Sequence, residues 1–266
     1  MFGRTAEPSQ QEAGSKQAYR LRLPLTLTAD YAGGYNQQVP GWWGKFLYWC
    51  FWSMLWPLAK LFFWLKAEGI RNVPRRGGAL IASNHLSHLD PPLLGLACPR
   101  MVVHMAKKEL FARPLLQWYL KAIGTIIVHR GRGRQAIVDA LDYVERGACV
   151  VIFPEGTRSI SRRLSKGHSG ALVIAIGTGC PIVPCAITGT EQAWPKGSKR
   201  IRIAPIKVRF GEAYTIKYDG DRQDIPRDVL ERECFRLMER IEALLPEHLR
   251  PHREDKLAWY GELAAP

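Results

Sequence analysis

The chain has 266 residues, of which 47% are hydrophobic, so it can bury a sizeable core and is not expected to be disordered overall. Its 38 Lys and Arg residues against 24 Asp and Glu residues give a formal net charge of +14. That excess favours an anionic partner, such as nucleic acid, an anionic lipid surface or a phosphorylated small molecule. The six cysteines are scattered and form no C-x-x-C pair, and no basic-then-apolar signal sequence begins the chain. We therefore expect reduced, buried thiols and no secretion.

An aromatic segment over residues 41–65 holds six of the nine tryptophans. Lys45 and Lys60 bracket only 14 residues of it, and Pro57 interrupts them. A membrane span needs about 20 apolar residues, whereas Trp and Lys side chains suit the headgroup zone. The segment therefore predicts a pair of amphipathic helices, broken near Pro57, that lie in the membrane interface. A true span and a buried pair of core helices are the alternatives.

After residue 70 the chain alternates between short apolar runs and helical patterns. This alternation predicts an α/β fold, with a mostly parallel or mixed sheet flanked by helices. Helical patterns are expected near 108–122, 134–146, 168–177 and 226–245. The expected strands are "GALIAS" (78–83), "MVVHMA" (101–106), "TIIVH" (125–129), "CVVIF" (149–153), "PIVPCAI" (181–187) and "IKVRFG" (206–211).

These patterns divide the chain into four parts. Residues 1–40 are polar and rich in Gly, Gln and Pro, which predicts a mobile tail. Residues 41–67 form the expected membrane-anchoring segment, residues 68–250 the α/β domain, and residues 251–266 a C-terminal tail.

The first motif with chemical meaning is "ASNHLSHLDPPLLG", which begins at Ala82 and places His85 and Asp90 five positions apart. His85 directly follows the strand "GALIAS", at the end where open α/β sheets usually place their ligands. Asp90 can hold one ring nitrogen and leave the other as a general base. A satisfied loop histidine is the alternative for this motif taken alone.

Two further strands end in arginines. "VIFPEGTRSI" continues from the strand "CVVIF", and its Arg158 offers a planar fork of donors for a phosphate or a carboxylate. Glu155 is placed to brace Arg158, and Gly156 lets the backbone approach a ligand closely. In "GTIIVHRGRGR", Arg130 also emerges at the end of a strand. Taken alone, the first stretch is also consistent with a tight turn that carries a surface salt bridge, and the second with a solvated basic loop.

Together these stretches resemble the glycerophospholipid acyltransferases of the PlsC type. The H-x4-D motif is present from His85 to Asp90, F-P-E-G-T-R-S is complete from Phe153 to Ser159, and V-P-x-x-I is complete from Val183 to Ile187. The G-x-x-F-x-x-R motif runs from Gly124 to Arg130, with Ile127 in place of the phenylalanine. The family's K-E-L-F segment is present from Lys108 to Phe111.

The resemblance implies transfer of an acyl chain from acyl-CoA or acyl-carrier protein to the free hydroxyl of lysophosphatidic acid, giving phosphatidic acid. It implies that His85 and Asp90 are catalytic and that the acceptor's phosphate is bound by Arg130, Arg158, Glu155, Gly156, Thr157 and Lys107. No cofactor and no metal are implied. The expected partners are the two substrates and membrane lipids, with no nucleic acid, and the expected location is the cytoplasmic face of the inner or plasma membrane.

Three alternatives remain open at this point. Within the same family, the acceptor can be another lysolipid, such as a lyso-ornithine lipid, a lysophospholipid or a glycolipid. A metal-dependent hydrolase would use His85, His88 and Asp90, although the H-x-H-x-D-H pattern of one large hydrolase family is absent. A nonenzymatic nucleic-acid or membrane-binding module would account for the net charge but not for the paired His and Asp.

Overall fold

The computed structural model describes residues 40–131 and 133–264. The tail expected over residues 1–40 therefore lies almost entirely outside the described residues. The α-helices are α1 (Trp42–Phe63), α2 (Asp90–Ala97), α3 (Pro114–Ala122), α4 (Gly133–Glu145), α5 (Gly170–Thr178), α6 (Thr190–Ala193), α7 (Arg227–Ala243) and α8 (Arg253–Tyr260). Short 3₁₀ helices cover Ile70–Asn72, Lys108–Ala112, Glu247–Leu249 and Gly261–Ala264.

Seven strands form one sheet in the order β1-β7-β6-β2-β5-β3-β4. They are β1 (Lys66–Glu68), β2 (Ala79–Ser83), β3 (Val103–Lys107), β4 (Ile126–Val128), β5 (Cys149–Ile152), β6 (Ile182–Thr188) and β7 (Lys207–Phe210). β7 is antiparallel to β6, and the other neighbouring pairs are parallel. The carboxyl ends of β2 to β6 therefore meet at one edge of the sheet, which we call the carboxyl edge.

Both faces of the sheet are covered, because the residues of its central strand alternate between two cores. Leu80 and Ala82 of β2 pack in the core beneath α4, α5 and α7. Ala79 and Ile81 pack in the core on the side of α1 and α2. A strand buried on both faces carries a continuous apolar sequence, and β2 reads "ALIAS". The predicted mixed α/β fold is confirmed, and the six predicted strands are present with ends shifted by one or two residues.

The sequence prediction missed one strand and three α-helices, and it merged two other elements. β1 is a three-residue edge strand with the sequence "KAE", and α2 begins with two prolines in "DPPLLGLA". The short α6 also has no periodic signal, and α8 lies where only a C-terminal tail was predicted. The helix expected over 108–122 is interrupted at Arg113, which is extended because the following Pro114 disfavours helical geometry there.

The aromatic segment forms one helix, α1, so the predicted break at Pro57 and the predicted helix pair are wrong. The φ that a proline ring imposes is itself helical, so Pro57 removes a backbone hydrogen bond without ending the helix. Contacts on both sides of Pro57 hold the helix on the domain, since Trp52 and Ala59 are both buried. A Cβ at Gly44 would collide with the carbonyl oxygen of Ala122, so α1 lies directly against the end of α3.

The outer face of α1 is exposed and apolar. It carries six large side chains at least half exposed and three others only slightly less so: Trp42, Trp43, Phe46, Trp49, Met54, Trp56, Leu58, Leu61 and Phe62. The alternative of a buried pair of core helices is therefore wrong. Among the described residues, α1 is the helix whose length and composition would allow it to cross a membrane.

Candidate active site

The loop after β2 is fixed to the neighbouring strand by Asn84, a fully buried side chain. Its Nδ2 donates to the carbonyl oxygen of Ile187 at 3.0 Å, and its Oδ1 accepts from the N–H of Ile187 at 2.8 Å. Through these two bonds, the side chain of Asn84 continues the pairing of β2 with β6 beyond the end of β2. The backbone at the start of the loop is therefore held rigidly, and His85 is the next residue after it.

His85 and Asp90 are in direct contact, with Nδ1 of His85 2.8 Å from Oδ2 of Asp90. The same oxygen accepts backbone N–H groups from Leu86 at 2.6 Å and Ser87 at 2.7 Å. Asp90 is fully buried and is the first residue of α2, where the helix dipole favours a negative charge. Because a carboxylate only accepts, Nδ1 carries the ring proton and Nε2 is a free acceptor. The side chain of His85 is 18% exposed, so a substrate can reach it.

The loop after β5 packs against His85 from the other side. The ring of Phe153 stacks on the imidazole with 4.1 Å between the ring centroids. The N–H of Ser159 donates to the carbonyl oxygen of His85 at 2.9 Å. These contacts connect the H-x4-D and F-P-E-G-T-R-S motifs and restrict the rotation of the imidazole.

Glu155 clamps these two loops together instead of bracing Arg158. Its Oε1 accepts the backbone N–H of His85 at 2.7 Å. Its Oε2 accepts both the backbone N–H of Ser165, at 3.0 Å, and the hydroxyl of that residue. Burial raises the pKa of this carboxyl to about 7, against the hydrogen bonds that lower it. With both oxygens occupied and buried, Glu155 positions the backbone of His85 and is not placed to bind a phosphate.

The turn at the tip of this loop presents Gly156, Thr157 and Arg158. Gly156 has a φ of +67°, which favours glycine, and both Gly156 and Thr157 are exposed. Burial and then the positive charge of Arg158 lower the pKa of His88, with a smaller contribution from Lys107. The loop of Arg158 is bonded to His85 through the N–H of Ser159, and Lys107 ends β3, so both cations belong to the carboxyl edge that holds the catalytic loop.

Arg130 stands farther out along the carboxyl edge. Its side chain is 85% exposed and its Nε lies 2.7 Å from a carboxylate oxygen of Glu109. A backbone hydrogen bond and the charges of Arg130 and Lys107 lower the pKa of Glu109. The structure therefore places Arg130 beside Glu109, while the charges of Arg158 and Lys107 act on the catalytic loop at His88.

Residues 65–188 match the family model described as Acyltransferase. This region contains all four motifs. One of them holds His85 and Asp90, and two others hold Arg130 and Arg158. These residues are therefore similar to that family.

Several known proteins resemble the chain over this region and beyond it. The chain is 35% identical to a 1-acyl-sn-glycerol-3-phosphate acyltransferase of Cocos nucifera over 191 residues, which cover 70% of this chain and 58% of that protein. It is 34% identical to one of Limnanthes douglasii, over 55% of this chain and 53% of that protein. The chain thus spans about half the length of the curated relatives it matches. The crystal structure of the 1-acyl-sn-glycerophosphate acyltransferase PlsC from Thermotoga maritima has a TM-score of 0.60 and 25% identity, covering 77% of this chain and 81% of that chain.

The site also contains residues that sequence reasoning missed. Ser165 supports Glu155 from ten positions away, and no periodic pattern connects the two. Trp194 directly follows α6, and its ring lies 5.3 Å from that of His88. The carbonyl oxygen of Trp194 accepts the hydroxyl of Ser87 at 2.7 Å. The described residues, 40–131 and 133–264, hold no group of three or more His, Cys, Asp or Glu side chains placed to bind a metal ion.

Proposed function

We propose that this protein transfers an acyl chain from acyl-CoA or acyl-carrier protein to the free hydroxyl of lysophosphatidic acid, forming phosphatidic acid. One observation carries the proposal: the buried Asp90 holds His85 with Nε2 free, at the edge of the sheet where the loop of Arg158 contacts His85 and where β3 ends at Lys107. The names of the curated relatives and of the Thermotoga maritima protein support the same acceptor.

In the proposed reaction, Nε2 of His85 removes the proton from the acceptor hydroxyl as its oxygen attacks the carbonyl carbon of the thioester. Asp90 stabilises the imidazolium that forms, as the carboxylate does in serine hydrolases. The tetrahedral intermediate then expels the thiolate, and the proton on Nε2 passes to the leaving sulfur. The acceptor hydroxyl takes the place of an enzyme serine, so no acyl-enzyme forms.

The acceptor's phosphate is the group that sets the position of its hydroxyl. Arg158 is the main proposed ligand, because it is a planar donor at the tip of the loop that packs on His85. Lys107 adds a second charge, and the exposed Gly156 and Thr157 offer the backbone and a hydroxyl. Holding the two reacting groups together in this way contributes several kcal/mol, on the order of the advantage of an intramolecular reaction.

We propose that residues 41–67 anchor the catalytic domain, residues 68–250, to the cytoplasmic face of the membrane that holds its substrates. The exposed apolar face of α1 is suited to lipid, and Trp residues prefer the interface. Near the end of α1, Lys60 donates to the carbonyl oxygen of Leu65 at 2.7 Å. In a flotation assay the protein should rise with anionic vesicles, and a variant with Trp49→Glu and Leu61→Glu should stay in the soluble fraction.

The experiment that tests the activity uses purified protein and radiolabelled acyl chains. Labelled acyl-CoA and labelled acyl-carrier protein are offered separately, each with lysophosphatidic acid, a lysophospholipid, a lyso-ornithine lipid or a glycolipid. We expect labelled phosphatidic acid from lysophosphatidic acid at the highest rate. A higher rate with an acceptor that lacks the terminal phosphate would assign the enzyme to another lysolipid and would contradict the role of Arg158.

A further inference from the structure

A short run of basic and apolar residues in the connection from α6 to β7 has exposed side chains. It covers residues 199–203 with the sequence "KRIRI", and its Ile201 and Ile203 are 55% and 62% exposed. The backbone of the run is bonded to the domain, because the N–H of Arg202 donates to the carbonyl oxygen of Ala193 at 2.8 Å. This run, which we call the KRIRI segment, therefore presents both cations and aliphatic side chains to solvent.

The cations of the KRIRI segment are available to an external anion. Within the part of the chain that the structure describes, none of Lys199, Arg200 and Arg202 lies within ion-pair distance of an acidic side chain. The next cations along the chain, in β7, pair instead with Glu68. Residues 192–209 also contain no Asp or Glu. The segment is therefore a local positive surface that an anionic partner can neutralise.

The loop after β5 lies beside the KRIRI segment. Nζ of Lys196, just before the segment, donates to the carbonyl oxygen of Arg158 at 2.8 Å. Arg162 from that loop lines one cavity together with Arg202 from the segment. Between its two arginines the loop exposes Ile160, whose side chain is 83% accessible. The loop therefore extends the same mixture of apolar and basic side chains.

The KRIRI segment, the end of α1 and the catalytic loop all lie at the carboxyl edge. β7 is antiparallel to β6, and β1 is parallel to β7, so β1 and β7 both begin at that edge. The N–H of Ile206 donates to the carbonyl oxygen of Phe63, the last residue of α1, at 2.8 Å. In the loop after β5, the N–H of Ser159, which precedes Ile160, donates to the carbonyl oxygen of His85 at 2.9 Å. A bilayer that covers the end of α1 is therefore next to the segment and to the loop beside His85.

We propose that the KRIRI segment and Ile160 form a second membrane contact, which binds anionic headgroups and turns the carboxyl edge toward the bilayer. This inference rests on the proposed anchoring by α1 and adds to it the lipid class. The two lysines of α1 stand among many apolar side chains, and Lys60 is bonded to the carbonyl oxygen of Leu65, so α1 supplies apolar contact and little charge. The segment supplies the charge, and its isoleucines suit the boundary between headgroups and acyl chains, which neither a nucleic acid nor an acidic protein surface offers.

The test measures partitioning of the purified protein onto vesicles by flotation, which requires no turnover. One set of vesicles is phosphatidylcholine alone, and the other is an equimolar mixture with phosphatidylglycerol. The wild type should prefer the anionic vesicles and lose that preference at high salt. The test variant carries three substitutions at exposed positions, Lys199→Gln, Arg200→Gln and Arg202→Gln. Because each Lys or Arg close to an anionic surface strengthens binding about fivefold, the variant should bind the anionic vesicles at least about tenfold more weakly. Its binding to phosphatidylcholine alone should equal that of the wild type.

The matched control removes the same charge from exposed arginines on α7 and α8, by Arg232→Gln, Arg236→Gln and Arg253→Gln. It should keep the wild-type preference for anionic vesicles. Both sets of substitutions lie at exposed positions, so the melting temperatures should be unchanged.

Insertion of the isoleucines is tested with a fluorophore. Cys50 is exposed and the other five cysteines are buried, so Cys50→Ser leaves Ile203→Cys as the reactive position. An environment-sensitive dye at residue 203 should shift its emission to the blue with anionic vesicles, whereas a dye placed through Arg253→Cys should not.

A triple variant that keeps the wild-type preference for anionic vesicles, or a dye at residue 203 that shows no shift, would overturn the inference. The inference also fails if the triple variant loses only binding to DNA or to an acidic carrier protein, since the surface then serves a macromolecule. A wild type that binds neither kind of vesicle would contradict the anchoring by α1 as well. If the vesicle results hold but no acyl transfer occurs, the proposed activity fails and the second membrane contact stands.

Discussion

Nδ1 of His85 lies 2.8 Å from Oδ2 of Asp90, and that oxygen also accepts two backbone N–H groups from the loop between the two residues. One carboxylate oxygen therefore fixes both the tautomer of the imidazole and the shape of its loop. Separating these two tasks requires a substitution that keeps an oxygen acceptor but removes the charge.

Asp90→Asn is that substitution. The amide oxygen can still accept the N–H groups of Leu86 and Ser87, so the loop and the melting temperature should be preserved. The imidazolium loses its counter-charge, so kcat should fall by about 10²–10⁴ with little change in KM. Full kcat in a folded Asp90→Asn variant would show that Asp90 serves the loop alone.

The two loop arginines should differ in their effect on the acceptor. Arg158→Gln should raise the KM for lysophosphatidic acid by at least about tenfold, because it removes a charge-assisted contact to the phosphate. Arg130→Gln should change it less, since Arg130 is largely exposed and already paired with Glu109. Steady-state kinetics with varied acceptor at saturating donor measure both effects. An equal or larger effect of Arg130→Gln would move the phosphate site outward along the sheet.

The main features of the fold and the catalytic pair could be predicted from the sequence because they depend on local patterns. Buried strands such as "CVVIF" are apolar throughout, and the H-x4-D spacing places His85 and Asp90 within reach of each other after a strand. The partners of Glu155 could not be predicted, since its contacts with His85 and Ser165 depend on how two distant loops pack.

Propensity and tertiary contacts conflict at the elements that were missed or mistaken. The prolines that hide α2 occupy its first turn, where proline is favourable because the missing N–H has no helical partner. At Pro57 the helix continues because Trp52 and Ala59 are packed on the domain from both sides of the ring. The orientation of Arg130 depends on Glu109, whose position follows from the pairing of β3 with β4.

Glu155→Gln should loosen the clamp on His85. An amide offers one oxygen in place of two, so a buried N–H group loses its acceptor, at a cost of about 1–3 kcal/mol in the free energy of unfolding. In the wild type, the contribution of Glu155 to the free energy of unfolding depends on pH, because burial raises the pKa of this carboxyl from 4.5 to about 7. Between pH 4.5 and 7 the folded state keeps the proton on Glu155, whereas the unfolded state has lost it. The stabilising contribution is therefore complete below pH 4.5 and is lost as the pH rises to 7.

Urea unfolding at several pH values measures this contribution, which amounts to about 3 kcal/mol over the range. The Glu155→Gln variant should lack the decline with rising pH. The variant should also have a lower kcat, because the backbone of His85 is less firmly held. If the variant has the pH dependence of the wild type, Glu155 is not the titrating group.

His104 should contribute the opposite dependence. Both of its ring nitrogens are buried without a hydrogen-bond partner among the described residues, and burial lowers the pKa from 6.5 to about 4. The unfolded state then binds the proton more readily, so stability is complete above pH 6.5 and is lost as the pH falls to 4, by about 3 kcal/mol. Between pH 4.5 and 6.5, the rise in the free energy of unfolding with pH that His104 causes offsets the fall that Glu155 causes in the wild type.

His104→Leu, which keeps an apolar side chain against Trp52 and Gly95, should expose the slope of Glu155. Its free energy of unfolding should decrease as the pH rises from 4.5 to 7, whereas that of the wild type should vary less. A flat profile in His104→Leu, matching the wild type, would mean that neither group titrates in this range.

The most direct test of the account compares the wild type with His85→Ala in the formation of labelled phosphatidic acid from lysophosphatidic acid and acyl-CoA. Both proteins are brought to saturating substrate, after their melting temperatures and vesicle binding are shown to agree. We expect His85→Ala to lower kcat by at least about 10², because it removes the imidazole that takes the hydroxyl proton. A His85→Ala variant that forms phosphatidic acid at the wild-type rate would contradict the central claim that this imidazole is the base.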